Sequence, residues 1–407
     1  MELDIVLATV GLLGVMVASM SAKMRCLPIS EPLLGLIAGI VLGPQVTGVL
    51  TIPTLAVEQS VLHEASRILL AISVMAVALR YPFGDIRRHG RALLILLLIV
   101  LPLMALVSAG LGWAILGMPV AAAALFGAAI SPTDPVLASS VVTGKAAERD
   151  LPARDRQLLS VESGSNDGLA LPLVLVALAV AGPLSAGDAF VESVWQVAGG
   201  VALGAGIGWL GGRALRLGAR HGAADGAPAL FFTVVLALGI LGTAGLLRVD
   251  GVLAVFVGGV AFNIIGSGSE RASEVPIDEA INRFAVLPLF VLFGAALPWR
   301  QWHELGWQAA VLVFAVLALR RIPIVLLMKR PLRLHTPDAL YLGWFGPVGV
   351  SALFYLTLEA DRLGADETVL AAGSLVLACS AIAFGVTGVL GRALYRRAAV
   401  QAPAVER

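Results

Sequence analysis

Charged residues are scarce in this 407-residue chain, in which 14% of the residues are Asp, Glu, Lys or Arg and 58% are hydrophobic. Ordinary soluble domains carry about 25% charged and roughly 45 to 50% apolar residues. A soluble core of this length would still need a polar surface, yet only short polar pieces separate the apolar stretches. The composition therefore argues against a soluble protein and is typical of a polytopic membrane protein.

Cysteine and histidine are also rare, with two and five residues. Cys26 lies beside a short basic loop and Cys379 inside a late apolar segment, so we expect no disulfide between them. The histidines all fall in loops or near the ends of apolar segments: His63, His89, His221, His303 and His335. We therefore expect no His-Cys metal cluster and no cofactor, and an intramembrane Ser-His protease would lack its base.

The first residues do not have the pattern expected of a cleaved secretory signal. The opening MELDIVLATV carries acids where such a signal carries lysines, and no small-residue cleavage pattern follows it. We expect the first apolar segment to remain as a helix.

Apolar segments of membrane-spanning length fill the chain, because a span needs about 20 mostly apolar residues. The pattern predicts an all-α polytopic protein with about thirteen transmembrane helices. Their approximate bounds are 3–21, 28–49, 60–80, 92–117, 119–144, 156–182, 189–212, 228–247, 249–266, 279–298, 305–328, 336–360 and 366–391.

Lysine and arginine are distributed unevenly between the loops. Most of them lie in odd-numbered loops and the C-terminal tail, whereas the even-numbered loops hold only Arg248, Arg300 and Arg362. Since basic residues accumulate in cytoplasmic loops, this predicts an outside N-terminus and a cytoplasmic C-terminus. These residues are thus mostly topology signals, and no nucleic-acid partner is indicated.

The fifth span contains a proline pair in the stretch GAAISPTDPVLASSV. Pro132 and Pro135 flank Thr133 and Asp134, and each proline removes a backbone donor. The helix should break here and leave carbonyl groups unpaired, which is tolerated within a membrane only around a cavity or buried site. The alternative is a simple proline kink in which Asp134 caps the second half-helix.

The sixth span begins with SVESGSNDG, a polar stretch at membrane depth. Ser163 and Asp167 are four residues apart on one ridge of a helix, and Glu162 and Asn166 form the adjacent ridge. Ionisable residues inside a membrane are costly and usually functional. An ordinary ion-pair network is the alternative, and it is stronger for Glu162 than for Asp167.

The twelfth span is interrupted by Gly346, Pro347 and Gly349, as the fifth is by its prolines. Breaks in corresponding spans of two halves point to a transporter built from inverted repeats. Spans five and twelve are seven apart, so we predict inverted six-helix units, spans one to six and eight to thirteen, with crossed broken helices.

The TDP of the broken fifth span, followed about thirty residues later by E-S-x-x-N-D, resembles the monovalent cation/proton antiporter superfamily. The Asn-Asp pair is similar to its electroneutral sodium/proton branch, whereas electrogenic relatives tend to have Asp-Asp. Many relatives carry an arginine in the break of the twelfth span, where this chain has Val348.

The resemblance implies roles for particular residues. Asp167 would bind the ion and the proton beside Asn166, and Thr133, Asp134 and Ser163 would contribute to that site. A structural ion pair would join Glu162 to an arginine of the eleventh span. We assign this partner to Arg321, with Arg320 as the alternative.

The resemblance further implies that the chain divides into two helical domains and that the protein forms a homodimer. Residues 1–85 and 228–300 (spans 1–3 and 8–10) would form a scaffold that mediates dimerisation, and 86–185 and 301–397 (spans 4–6 and 11–13) the ion-transporting core. Residues 186–227 would form a linker helix. The expected location is the inner (plasma) membrane, in contact with lipid.

The chemistry of the donors supports the same function. Alkali cations prefer oxygen ligands, and the Thr133 carbonyl, the Ser163 hydroxyl and the Asp167 carboxylate supply them. We expect that the protein is not an enzyme but exchanges a monovalent cation for H+, one for one, by alternating access. Na+ is the cation that we expect before any other. A K+/H+ antiporter, a cation channel and a cation symporter remain alternatives. An intramembrane aspartyl protease is a weaker alternative. It needs two catalytic aspartates, and Asp134 and Asp167 meet only this requirement of number.

Overall fold

The computed structural model describes residues 2–19, 29–182, 184–221, 231–265, 280 and 284–401. Every regular element within these residues is helical. The helices, numbered α1 to α21 in chain order, are Glu2–Ser19, Glu31–Leu42, Ser60–Arg80, Phe83–Arg88, Gly90–Leu116, Val120–Ala129, Pro135–Val142, Gly144–Asp150, Ala153–Leu169, Leu171–Ala181, Ala186–Arg220, Phe232–Leu247, Gly251–Ile265, Phe284–Ala295, Trp299–Glu304, Gln308–Leu319, Ile322–Leu327, Lys329–Leu332, Thr336–Trp344, Val350–Leu363 and Glu367–Gln401.

The helix ends follow from local sequence. The Ser30 hydroxyl accepts the Leu33 amide at the start of α2, and Pro32 stands in its first turn, where a missing N–H costs nothing. The helices α5 and α10 end at Gly117 and Gly182, whose φ angles of 66° and 104° favour glycine.

Each predicted span overlaps one helix or one interrupted pair of helices. Among the described residues, six helical segments are long and apolar enough to cross a membrane by length and composition. Two of these six are the pairs α9–α10 and α16–α17, each taken as one segment. Six further apolar helices are shorter. The all-helical fold class is confirmed, while the number of crossings remains a prediction. Parts of the first, second, eighth, ninth and tenth predicted spans, and Cys26, lie outside the described residues. Cys379 is a free thiol in α21.

The interrupted spans are the fifth (α6 and α7), the sixth (α9 and α10), the eleventh (α16 and α17) and the twelfth (α19 and α20). The irregular segments 130–134 and 345–349 separate the halves of the fifth and twelfth spans. Every residue of both segments is buried, as expected of irregular backbone at membrane depth.

Other helices pack closely through small residues. Gly204 and Gly208 of α11 lie against the backbone of Ala254 and Gly258 in α13, so that a methyl group at either glycine would overlap it. Asn263 of α13 donates to the backbone carbonyls of Ala78 (2.7 Å) and Tyr81 (2.8 Å) and so ties α13 to the end of α3.

Candidate functional site

The two broken spans meet at their breaks, and we call the meeting of segments 130–134 and 345–349 the crossing. The Asp134 amide donates to the Pro347 carbonyl at 3.0 Å. Glycine is required where the chains approach: a Cβ at Gly346 would overlap Arg321, and one at Gly349 would overlap the Asp134 carboxylate. The predicted crossed broken helices are therefore confirmed.

Asp134 lies where two half-helices begin. Its carboxylate accepts the Leu137 amide of α7 at 2.9 Å and also the Val350 amide of α20. The partial positive charges of two helix N-termini thus converge on one fully buried carboxylate. The sequence left open a kink in which Asp134 caps α7; the structure contains that cap and adds a second helix to it.

Arg320 lies where the other two half-helices end. Its guanidinium donates to the Ile130 carbonyl after α6 and to the Gly346 carbonyl after α19, with longer contacts to Ser131 (3.4 Å) and Pro132 (3.3 Å). A buried cation therefore faces two helix C-termini, whose partial charge is negative. Val348 is buried and donates its amide to the Ser380 hydroxyl at 2.9 Å.

Thr133 joins the crossing to the polar start of the sixth span. The Asn166 side chain accepts from the Thr133 amide (3.2 Å) and donates to the Thr133 hydroxyl (2.8 Å). The same hydroxyl lies 3.1 Å from the Ser163 hydroxyl. Both ridges of α9 therefore contact Thr133, and Asn166 is held in one orientation.

Asp167 differs from these neighbours because it is fully buried and both of its carboxylate oxygens lack a hydrogen-bond partner in the described part of the chain. The Ser351 hydroxyl is also buried and lies close enough to interact with this carboxylate, but it makes no hydrogen bond of standard geometry among the described residues. The Tyr355 hydroxyl donates to the backbone carbonyl of Asp167. A buried carboxylate without partners is costly unless a proton or a cation neutralises it.

Glu162 forms a buried ion pair. Its two oxygens accept from the two terminal nitrogens of Arg321 at 2.6 and 2.7 Å. The Arg321 Nε also donates to the Leu342 carbonyl at 2.9 Å. The partner named from the sequence is the one present, and the alternative, Arg320, binds the helix ends instead.

All the residues named from the sequence are buried at or beside the crossing. Sequence reasoning missed Ser351 and Tyr355, and it considered Arg320 only as a partner for Glu162. A signal existed for the first two, because they are four residues apart directly after the Gly-rich break and so share one face of α20. Nothing in the sequence indicates which carbonyls Arg320 reaches.

A protein-family model described as "Sodium/hydrogen exchanger, transmembrane" matches residues 12–392. The chain belongs to the sodium/hydrogen exchanger family. Among curated relatives of this exchanger-family chain, Na(+)/H(+) antiporter 2 of Zygosaccharomyces rouxii is 34% identical over 358 residues, 84% of this chain and 44% of the relative. A probable Na(+)/H(+) antiporter of Schizosaccharomyces pombe is 33% identical over 355 residues, 84% of this chain and 47% of the relative. The chain thus spans about half the length of these relatives.

Solved structures show the same fold. The exchanger-family chain superimposes on the sodium proton antiporter MjNhaP1 from Methanocaldococcus jannaschii with a TM-score of 0.70 and 18% sequence identity, covering 98% of each chain. A second structure of that antiporter gives a TM-score of 0.72, 19% identity, and coverage of 97% of this chain and 95% of the other.

Proposed function

We propose that this exchanger-family chain is a secondary active transporter that exchanges a monovalent cation, most favourably Na+, for H+. The observation that carries the proposal is the Asp167 carboxylate, which is fully buried with no partner for either oxygen among the described residues. Such a group holds a proton or a cation but not both, and competition between the two couples their movement. The names of the matched antiporters support Na+ as the cation.

The charges at the crossing support a one-for-one exchange. Asp134 faces two helix N-termini and Arg320 two C-termini, while Glu162 and Arg321 neutralise each other. Asn166 is uncharged, so Asp167 is the carboxylate of this group that is left to a transported ion. One proton or one monovalent cation neutralises it, and the loaded site then crosses the apolar barrier without net charge.

Alternating access needs a moving part, and we assign it to the core, residues 86–185 and 301–397, against the scaffold, residues 1–85 and 228–300. Helix α9 of the core meets the scaffold through glycine: Gly164 lies against Val77, and Gly168 lies against the backbone of Leu253. Glycine lets α9 approach the scaffold helices closely, and we propose that α9 moves along this contact, where it presents no side chain of its own. Residues 186–227 connect the two halves.

We also propose how the protein assembles and where it is located. The proposed protein is a homodimer that associates through its scaffold in the plasma membrane, with its N-terminus outside and its C-terminus in the cytoplasm. Large apolar side chains of the scaffold helix α1, including Leu3, Leu7 and Leu12, are exposed and suit contact with lipid or a second copy.

Purified protein in sealed vesicles tests the proposed exchange. A Na+ gradient should drive H+ in the opposite direction without a current, and the apparent KM for Na+ should rise as the pH falls, because protons compete for Asp167. Asp167→Asn should abolish both fluxes while its melting temperature stays close to that of wild type. Asp361→Asn, which removes an exposed acid on α20, serves as the matched control.

Three results would contradict the proposal. A current that follows the membrane potential would indicate a channel or charge-moving exchange. Cation and proton movement in the same direction would indicate symport. Cation-dependent H+ movement that persists in Asp167→Asn would remove Asp167 from the mechanism. A stronger response to K+ than to Na+ would change the cation but not the exchange.

A further inference from the structure

A second polar ridge leads away from Asp167 along α20. Ser351, Tyr355 and Glu359 follow each other at intervals of four residues, so their side chains lie on one face of that helix. All three are buried. Ser351 lies beside the Asp167 carboxylate and Tyr355 donates to the Asp167 carbonyl, so the ridge begins at the site already described.

Glu359 lies at the other end of the ridge and is buried. Neither of its carboxylate oxygens has a hydrogen bond among the described residues. The arginine that follows it along α20, Arg362, pairs with Glu192 of α11 at 2.8 Å. An ionised carboxylate left in such surroundings is costly, and in membrane proteins such groups mark ion or proton routes.

The position of Glu359 places it between Asp167 and one face of the membrane. Eight residues of helix separate it from Ser351, which corresponds to about 12 Å along α20. The charged neighbour of Glu359 is Asp366, in the exposed segment between α20 and α21. The distribution of basic residues predicts that this segment lies outside the cell.

Asp250 adds a further acid to the same region. One of its oxygens accepts the Leu253 amide at 2.9 Å at the start of α13, while the other has no partner in the described residues. Asp250 is an electrostatic neighbour of both Asp167 and Tyr355. The loop before it, which contains Arg248, is also predicted to be outside.

We propose that Glu359 is a proton-holding residue of the transporter, through which Asp167 exchanges its proton with the outer face. The inference rests on the proposed Na+/H+ exchange. In the inward direction of proton transfer, the Glu359 carboxyl gives up its proton, Asp167 gains one, and Glu359 is then protonated again from outside water. Ser351 and Tyr355 precede Glu359 by two turns and one turn on the same face of α20. We assign the relay to their hydroxyls, each of which accepts one proton and releases another.

A proton fits this position better than a metal cation does. A hard cation is bound by several oxygen ligands at once, whereas the ridge offers a single carboxylate with one hydroxyl on each of the two preceding turns. A proton needs only one oxygen at a time. The cation therefore binds at Asp167, and Glu359 serves the proton alone.

Two modes of transport separate these roles. Exchange of radioactive Na+ for unlabelled Na+ across vesicles requires the cation site but no net proton movement, whereas Na+/H+ exchange requires both. We expect Glu359→Gln to lower the rate of Na+/H+ exchange by about a hundredfold or more, the size of effect typical of losing a positioned proton-transfer group. Its Na+/Na+ exchange should stay close to the wild-type rate, as should both modes in Asp361→Asn.

Glu359→Asp keeps a carboxyl group and should recover part of the Na+/H+ exchange, which a merely structural role for the side chain would not predict. Infrared difference spectra between acid and alkaline pH should show a protonated-carboxyl band in wild type that shifts in Glu359→Asp. Equal losses in both modes, or unchanged Na+/H+ exchange in Glu359→Gln, would overturn the proposal. If wild type showed neither exchange mode, the proposed function would be refuted instead. The infrared band would then still show whether Glu359 holds a proton.

Discussion

At the scale of single residues, most buried charges near the crossing have an assigned partner. Glu162 and Arg321 satisfy each other, Asp134 satisfies two helix N-termini, and Arg320 satisfies two C-termini. Asp167 has no such partner among the described residues. Under the proposed exchange, this contrast distinguishes structural charges from the one charge that would bind a transported ion.

The ion pair of Glu162 and Arg321 should stabilise the fold without taking part in exchange. Glu162→Gln and Arg321→Gln should each lower the free energy of unfolding by about 3 to 5 kcal/mol, because each leaves an unpaired buried charge. The double variant should lose less than the sum of the two. Denaturant unfolding of the four proteins in detergent measures this coupling.

The chain offers a matched exposed pair as a control. Arg300 and Glu304 are 2.9 Å apart, with side chains 84% and 54% exposed. Arg300→Gln should change stability by less than about 1 kcal/mol. Additive losses in the buried pair, or a fully stable Arg321→Gln, would show that the buried contact is not energetically coupled.

At the scale of elements, the crossing depends on four half-helix ends that meet inside the protein. Backbone groups at such ends have no partner within their own helix. Asp134 and Arg320 supply partners at opposite ends of the same two breaks, which is the arrangement expected of two inverted repeats. The breaks are therefore held in place by charge as well as by packing.

Arg320→Gln should destabilise the crossing by at least about 2 kcal/mol, because two or more buried carbonyls lose a charged donor. Arg320→Lys should recover only part of this loss, since one ammonium lacks the forked geometry that reaches both helix ends. Unfolding and transport measured on the same preparations test this. Full recovery by lysine would mean that charge alone suffices.

Gly349→Ala should disturb the same region by steric overlap, since its Cβ would lie 2.6 Å from the Asp134 Cγ. We expect lower stability and loss of exchange. Gly242→Ala on α12 is the control, because nothing lies within 4 Å of a Cβ there. Alanine in place of a helical glycine gains about 0.5 to 1 kcal/mol, so the two variants should change the melting temperature in opposite directions.

At the scale of the whole molecule, the proposed mechanism requires a defined orientation in the membrane. The basic loops predict that the segment around Arg88 is cytoplasmic and that the segment around Glu367 is outside. Both residues are exposed. Orientation decides which face of the membrane Glu359 serves.

Cysteine labelling tests this orientation in a variant whose Cys26 and Cys379 are replaced by serine. A membrane-impermeant thiol reagent should label Glu367→Cys on intact cells and Arg88→Cys only after the membrane is opened. The reverse pattern would invert the topology. Labelling of both positions on intact cells would mean that the predicted number of crossings is wrong between them.

The sequence by itself determined the helical class, the positions of the breaks and the chemical types at the site. These features are local. An apolar run of about 20 residues forms a helix in a membrane. Pro132 and Pro135 interrupt one such helix and Pro347 another, whatever the tertiary packing. The spacing of Glu162, Ser163, Asn166 and Asp167 also assigns them to adjacent ridges of α9 without any tertiary information.

Only the tertiary structure decided which charges have partners. Glu162 and Arg321 are 159 residues apart, and Asp134 and Val350 are 216 apart, so their contacts depend on how α9, α16, α19 and α20 pack. The sequence could not show that Arg320 binds helix ends while the adjacent Arg321 binds Glu162, since the two are chemically identical. Nor could it show that Asp167 and Glu359 lack hydrogen-bond partners among the residues that the structure describes, because a missing contact depends on the whole packed environment.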